Sequence, residues 1–482
     1  MSDSGFNDDL LERELFGAES DSLEGGMDAN MDVDDMLSLS ESITGRATPA
    51  AATGSTPAPV AKSGTAKVSR AVPQLDIEMD TPPGALTVLE NAPRAQFAAA
   101  GQRAQSRSYE VVPTAALLNA YQIHTLAATA DMRWVFSGGA DGYIKRWDFA
   151  ATMNGRQMMT QGQRHAHVDS VSKAGVMAGY WEHSDNDVLS PVFSMDVQAQ
   201  ALWLASGMQS GRIALWSVRH DEGRKLHVLS KHRQPVSVLR ISPDERGLVS
   251  GAWDRAVLYW DLDSGRLARS FAGHASQISS IAFQPTWGAA KYNALKNSPA
   301  DDSQAPAENG GFDFKTPSPV LMTASIDGQC LLWDVRMRTA LPHRFDPPPR
   351  TPPWAASACW SPDGKRIFVG RRNNTVDEYE FNQGNQPVRS LRLPPNSGPV
   401  TALAALPNNR SLICCSTDNV RMWDLDEQKG VRFMVIPGHH GSTVSCALVD
   451  EAARFMVTAC GNRGWDGASN NVCLCYEIES VK

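Results

Sequence analysis

The 482-residue sequence lacks any apolar run near the roughly 18 residues that a membrane-spanning helix needs. Its opening, MSDSGFNDDLLERELFG, has neither a basic n-region nor an apolar h-region, so no secretory signal is expected. Cysteine is sparse: there are eight, all beyond position 329, with no CxxC spacing and no histidine at zinc-finger distance. Cys414–Cys415 and Cys473/Cys475 fall in apolar runs of strand character, where a thiol behaves as a small buried hydrophobe. The pattern excludes a disulfide framework, predicts no metal site and no cofactor, and points to a reducing compartment, cytosol or nucleus. Basic residues are also few at the start. Residues 1–45 hold thirteen Asp/Glu against one Arg, a charge of −12 that leaves the remainder near +4 of the total −8. So small an excess gives no argument for nucleic-acid binding by the body of the protein.

What is present divides the chain in two. Residues 1–45 mix acids with Phe6, Leu10, Leu11, Leu15 and Phe16, and residues 46–107 form an Ala/Pro/Ser/Thr-rich linker. Neither stretch has enough large apolar side chains to offset chain entropy, so a disordered tail is expected over 1–107. Within it, Asp8–Phe16 can form a short amphipathic helix on binding, with Leu11, Leu15 and Phe16 on one side, or serve as a solvated acidic leader.

From 108 to 482 the sequence repeats. Short apolar runs end on an aromatic, usually followed by an acid, at Trp147, Trp216, Trp260, Trp333, Tyr379, Trp423 and Tyr476. Three of the gaps lie at or near a 40–45-residue period, and two others become regular if an insertion is allowed. Upstream of each aromatic is a strand-turn signal, such as VFSGGADG, LVSGAWD or LMTASIDG. Strand, turn, strand, turn, strand at fixed offsets predicts an all-β, seven-bladed WD40 β-propeller. Closure of the ring requires the two ends to pair, and residues 108–115 (SYEVVPTA) are expected to supply a strand to the last blade, with Pro113 at an edge.

Two insertions interrupt the period, near 164–190 and near 285–317. The second has loop composition. The first contains Arg164, His165, Lys173, Tyr180 and Trp181, and is expected to follow the outer strand of the first blade and emerge beside the second-to-third-strand turns. Those five residues, with Leu11, Leu15 and Phe16, are the candidate partner-binding set, while capping of the propeller by Tyr180 and Trp181 is the alternative.

Ser, His and Asp recur with the blades. The sets His232, Ser250, Asp254, Trp260 and His274, Thr323, Asp327, Trp333 each suit one buried hydrogen-bonded chain, and Ser137, Asp141, Trp147 form a partial one. A catalytic triad occurs once per site, so these residues are assigned to blade scaffolding and no enzyme is expected. Arg371–Arg372 sits in GRRNN without the flanking residues of a phosphate-gripping turn, and reads as a solvated basic turn.

The stretches RWVFSGGADGYIKRWDF (133–149), QRHAHVDSVSKAGVMAGYWE (163–182), LSPVFSMDVQAQALWLASGMQSGRIALWSVRHDEG (189–223) and HRQPVSVLRISPDERGLVSGAWDRAVLYWDLDSG (232–265) add a family signal. In them the sequence resembles the WD-repeat, TATA-binding-protein-contacting subunit of the fungal SAGA transcription coactivator, of the suppressor-of-Ty class. General WD repeats lack the 163–182 insertion. The resemblance covers most of 120–480 and fades through the 285–317 loop. It implies a nuclear, non-catalytic subunit that binds TATA-binding protein and other subunits of a SAGA-like complex, with no direct sequence-specific nucleic acid and no membrane as partner. It transfers no residue-level binding motif. The alternative is a cullin-4 ubiquitin-ligase substrate receptor, since Trp333-Asp334-Val335-Arg336 matches the short WDxR pattern of such propellers.

Overall fold

The computed structural model describes residues 106–285, 320–337, 342–427, 432–439, 441–463 and 469–481. The acidic tail with Leu11, Leu15 and Phe16, and the 285–317 loop beyond residue 285, lie outside the described residues.

Seven blade sheets, antiparallel in their four-stranded cores, follow one another along the chain, with one small two-stranded sheet between the first two. Blade one pairs Ile123–Ala128, Trp134–Gly139, Tyr143–Asp148 and Val176–Glu182, from the innermost strand outward. Blades two to six repeat this order, each with four strands consecutive in sequence, from Ser194–Val197 in blade two to Phe433–Ile436 in blade six. Antiparallel order places the first-to-second and third-to-fourth connections on one face. The second-to-third turns and the links between blades occupy the other.

Blade seven joins the two ends. Its inner strands are Val444–Val449, Phe455–Cys460 and Cys473–Val481, and its fourth is Ser108–Ala116. The register runs from Ser108 opposite Val481 to Ala116 opposite Leu474. Pro113 stands at the register shift between Pro113 and Ala115, where a missing N–H removes no regular ladder bond. The seam is thus closed as expected.

Middle strands are buried on both faces because neighbouring blades stack on them, and they are accordingly continuous in apolar and small residues. Gly247–Ala252 and Val320–Ser325 are buried at every position, whereas the outer strand Arg266–Phe271 alternates. Close stacking also explains the Ser-Gly pairs of the repeat. A Cβ added at Gly138 would lie 2.6 Å from Val192, and one at Gly251 would lie 2.6 Å from Ile278, each on the approach to the next blade. Core clusters accordingly span blade pairs. Val249, Val257 and Phe271 of blade three pack with Ile278, Leu321 and Trp333 of blade four.

Candidate partner-binding surface

The recurrent polar residues form the buried scaffold. Trp260 Nε1 donates to Ser250 Oγ (2.8 Å), His232 Nε2 lies 2.8 Å from the same oxygen, and His232 Nδ1 lies 3.1 Å from Asp254. Burial would raise the Asp254 carboxyl, but the His232 hydrogen bond and charge hold it below the usual range. In blade four Trp333 donates to Thr323 (2.8 Å) and His274 Nε2 lies 2.7 Å from that hydroxyl. Here the chain differs from expectation. His274 Nδ1 meets Ser325 (2.8 Å), and Ser325 in turn donates to Asp327, so a serine stands between ring and carboxylate. Burial lowers His274 to about 4, so the ring is neutral in the fold.

Blade one keeps the Trp147 to Ser137 bond (2.9 Å), but Asp141 is not part of the chain. No histidine precedes this strand at the matching position, and Asp141 instead pairs with Lys145 at 2.6 Å. Two further blades hold members of the same kind: Trp216 donates to Ser206 (2.7 Å), and His439 Nε2 lies 2.6 Å from Thr458. In blade six Cys414 occupies the register position of these hydroxyls, and Trp423 Nε1 is left without a hydrogen-bond partner.

Arg371 corrects the basic-turn expectation. It is 0% exposed. Its Nε donates to Asp377 (2.8 Å), one terminal nitrogen to the Gly328 carbonyl of blade four (2.6 Å), and the other to Tyr379 Oη (2.9 Å). With Val369 in place of a serine and tyrosine in place of tryptophan, the fifth blade builds its buried polar centre on an ion pair. Arg372 alone is exposed, stacked 4.3 Å over Trp354.

The 164–190 insertion is also placed differently. Its segment Val176–Glu182 is itself the outer strand of blade one, pairing with Tyr143–Asp148. The extra chain therefore lies between the third and fourth strands, and only the link from His183 to Phe193 follows the blade. An outer strand carries no aromatic signature, which is why the sequence concealed it. Helices α1 (Phe149–Met153) and α2 (Gln161–Arg164) fill the connection, and Lys173–Ala174 adds a parallel fifth strand beside Ala115–Ala116 of the closing strand. The insertion braces the seam.

The five candidates consequently separate. Arg164 and His165 are exposed at the end of α2. Lys173 is committed to the brace: its Nζ donates to the Met153 carbonyl (2.7 Å) and pairs with Glu477 at 3.4 Å. Trp181 is 7% exposed, edge-on to Phe136 in the blade-one core, so it packs and does not present a surface. Tyr180, 64% exposed and edge-on to Tyr143, stays available on the rim. His183, absent from the candidate set, is buried with Nδ1 2.8 Å from the Ser190 carbonyl and fixes the link to blade two; burial lowers it to about 4. In the WDxR motif, Arg336 donates to its own Asp334 at 3.1 and 2.9 Å.

Comparison with known proteins agrees with this architecture. The family model of the SPT8 beta propeller matches residues 109–311 and 312–479. The SAGA complex subunit Spt8 of Schizosaccharomyces pombe is 39% identical over 426 residues, covering 78% of this chain and 81% of that protein. The SAGA complex subunit SPT8 of Saccharomyces cerevisiae is 30% identical over 438 residues, covering 77% and 73%. The crystal structure of the RRP9 WD40 repeats matches with a TM-score of 0.55 at 17% identity, covering 77% of this chain and 100% of that one, a likeness of fold alone. With seven blades closed by its own N-terminal strand and relatives matched across most of its length, the chain belongs to the Spt8 β-propeller family.

Proposed function

We propose that this protein is a non-enzymatic interaction subunit of a SAGA-like transcription coactivator in the nucleus, where it binds TATA-binding protein and regulates its delivery to promoters. The observation that carries the assembly is the similarity to two SAGA complex subunits over 77–78% of the chain. The use of the repeated Ser, His and Asp residues as buried scaffold supports a binding role over a catalytic one.

Charge supports the contact with TATA-binding protein, whose DNA-binding surface accommodates the acidic minor groove and carries apolar wedges. A tail at −12 with interspersed leucine and phenylalanine offers charge for steering and apolar anchors in Leu11, Leu15 and Phe16. The exposed Tyr180, Arg164 and His165 form the alternative contact on the propeller. A pull-down on TATA-binding protein, comparing residues 1–107 with 108–482, separates them. Retention of 1–107 at low salt is expected. Retention of 108–482 alone transfers the contact to the propeller, and retention of neither overturns the reading.

A further inference from the structure

The face that carries the second-to-third turns and the links between blades is uneven in charge. Across blades three to five it presents Lys231, Arg233, Arg255, Arg350 and Arg372, all exposed and none ion-paired among the described residues. The acids of this sector are already engaged. Asp254 accepts from His232 and from the Arg233 backbone N–H (3.0 Å). Asp327 accepts from Ser325 and from the Ala275 N–H (2.8 Å), and Asp346 pairs with Arg344 at 3.5 Å. The first-to-second turns of the opposite face instead mix signs, with Asp131, Asp244, Glu245, Asp363 and Glu451 among Arg133, Arg246 and Lys365.

One part of this sector is strained and held rigid. Trp354 adopts φ +99°, a left-handed region that bulky residues avoid, at the end of the proline-rich link PPPRTPPW. Its ring is only partly buried, and the Arg372 guanidinium lies 4.3 Å from it. The backbone under Arg372 is fixed on both sides. Arg371 is buried against Asp377 and Gly328, its carbonyl accepts from the Val400 N–H (3.1 Å), and the Asn374 carbonyl accepts from the Leu393 N–H (2.8 Å). Strain that persists because its surroundings over-determine it marks positions used for recognition. A stacked guanidinium still offers its edge nitrogens, whose fork matches a carboxylate.

We infer that this arginine–tryptophan platform, Arg372 on Trp354 with Arg350 on the same proline-rich link and Arg233 and Arg255 two blades away, binds a carboxylate-rich segment of a partner protein. The cations stand in two groups separated by blade four and do not form the continuous track that a nucleic-acid backbone follows. Arg372 already occupies one face of Trp354, which reduces the ring surface left for base stacking. A flexible acidic peptide can bridge the two groups with carboxylates at intervals. The site lies on the propeller and calls for an acidic ligand, so it is separate from a contact between the acidic tail and the basic surface of TATA-binding protein.

The test uses the full chain, a fluorescent peptide of twelve residues rich in glutamate with one central phenylalanine, and fluorescence anisotropy at low salt. The variants are the double charge reversal Arg350→Glu/Arg372→Glu and, as a control on the opposite face, Arg133→Glu/Arg246→Glu. A twenty-base-pair DNA duplex is the competing probe. Saturable peptide binding is expected, weakened about tenfold by the first pair and less than about twofold by the control. The milder Arg350→Gln/Arg372→Gln, checked for an unchanged thermal melt, should show the same direction if charge reversal impairs folding. Equal loss in both reversals, no saturable binding, or tighter binding of the duplex than of the peptide would overturn the proposal.

Discussion

Arg371 and Arg372 are neighbours in sequence and opposites in environment. Arg371 is the last residue of a second strand, Arg366–Arg371, that neighbouring blades bury on both faces, whereas Arg372 opens the exposed turn that follows. The signal that identifies it is elsewhere in the fifth blade, where Val369 replaces the usual hydroxyl and Asp377 and Tyr379 stand ready on the third strand. Truncation by Arg371→Ala leaves the Asp377 carboxylate buried without its cation. A loss of about 3–5 kcal/mol in urea denaturation is expected, while Arg372→Ala costs about 0.5 kcal/mol or less. Similar costs for the two would contradict the buried pair. The same scale holds a pH dependence. His183 and His274 are lowered from 6.5 to about 4 by burial, so both are neutral when folded and take up protons on unfolding below pH 6.5. Their contribution is complete above pH 6.5 and is lost as the pH falls towards 4, with a slope of about 1.4 kcal/mol per pH unit for each ring. Denaturation midpoints measured at intervals from pH 7.5 to 4.5 should fall, and His183→Gln should flatten the slope.

At the level of elements, the seven aromatic-ended strands are legible because a buried Trp or Tyr on the third strand recurs in every blade, and in all but the fifth it follows a second strand that ends in small residues. Fourth strands are not. They lie at the rim, where one face meets water and no fixed residue type is demanded, so in sequence Val176–Glu182 blends into the insertion around it. Tyr180 and Trp181 are adjacent in that strand, and strand alternation sends Trp181 into the core and Tyr180 to solvent. The closing strand was legible from topology, since a ring needs its ends to pair. Ser108–Ala116 lies against Cys473–Val481 on one side and Lys173–Ala174 on the other, and it buries Tyr109, Val111, Ala115 and Ala116. Deletion of residues 108–115 therefore exposes the edge of the last blade and removes the partner of the brace at Lys173. A sharply lower melting temperature and new aggregation are expected by calorimetry and light scattering. An unchanged melt would mean that the brace alone can close the ring.

For the whole molecule, the ring is a rigid frame whose polar residues largely serve itself, and what it recognises is decided by what is added to it. The additions differ in sign: −12 in the first 45 residues, against a sector of cations without an ion pair among the described residues on one propeller face. If the acidic residues steer the chain to a basic partner, the attraction must act over the screening length of the solvent. That length shrinks from about 30 Å at 0.01 M ionic strength to about 8 Å at 0.15 M, so an association driven by many exposed charges weakens steeply over this range. Retention of the full chain on TATA-binding protein should accordingly fall with added salt. Replacing the thirteen acids of residues 1–45 by their amides should remove most of that salt dependence while leaving the propeller's melting temperature unchanged. The apolar anchors survive both treatments, so Leu11→Ala/Leu15→Ala/Phe16→Ala should instead speed dissociation and leave the salt dependence in place, since charge governs encounter and desolvated contacts govern release. Retention that ignores both salt and amide replacement would remove the tail from the mechanism and assign the contact to the propeller.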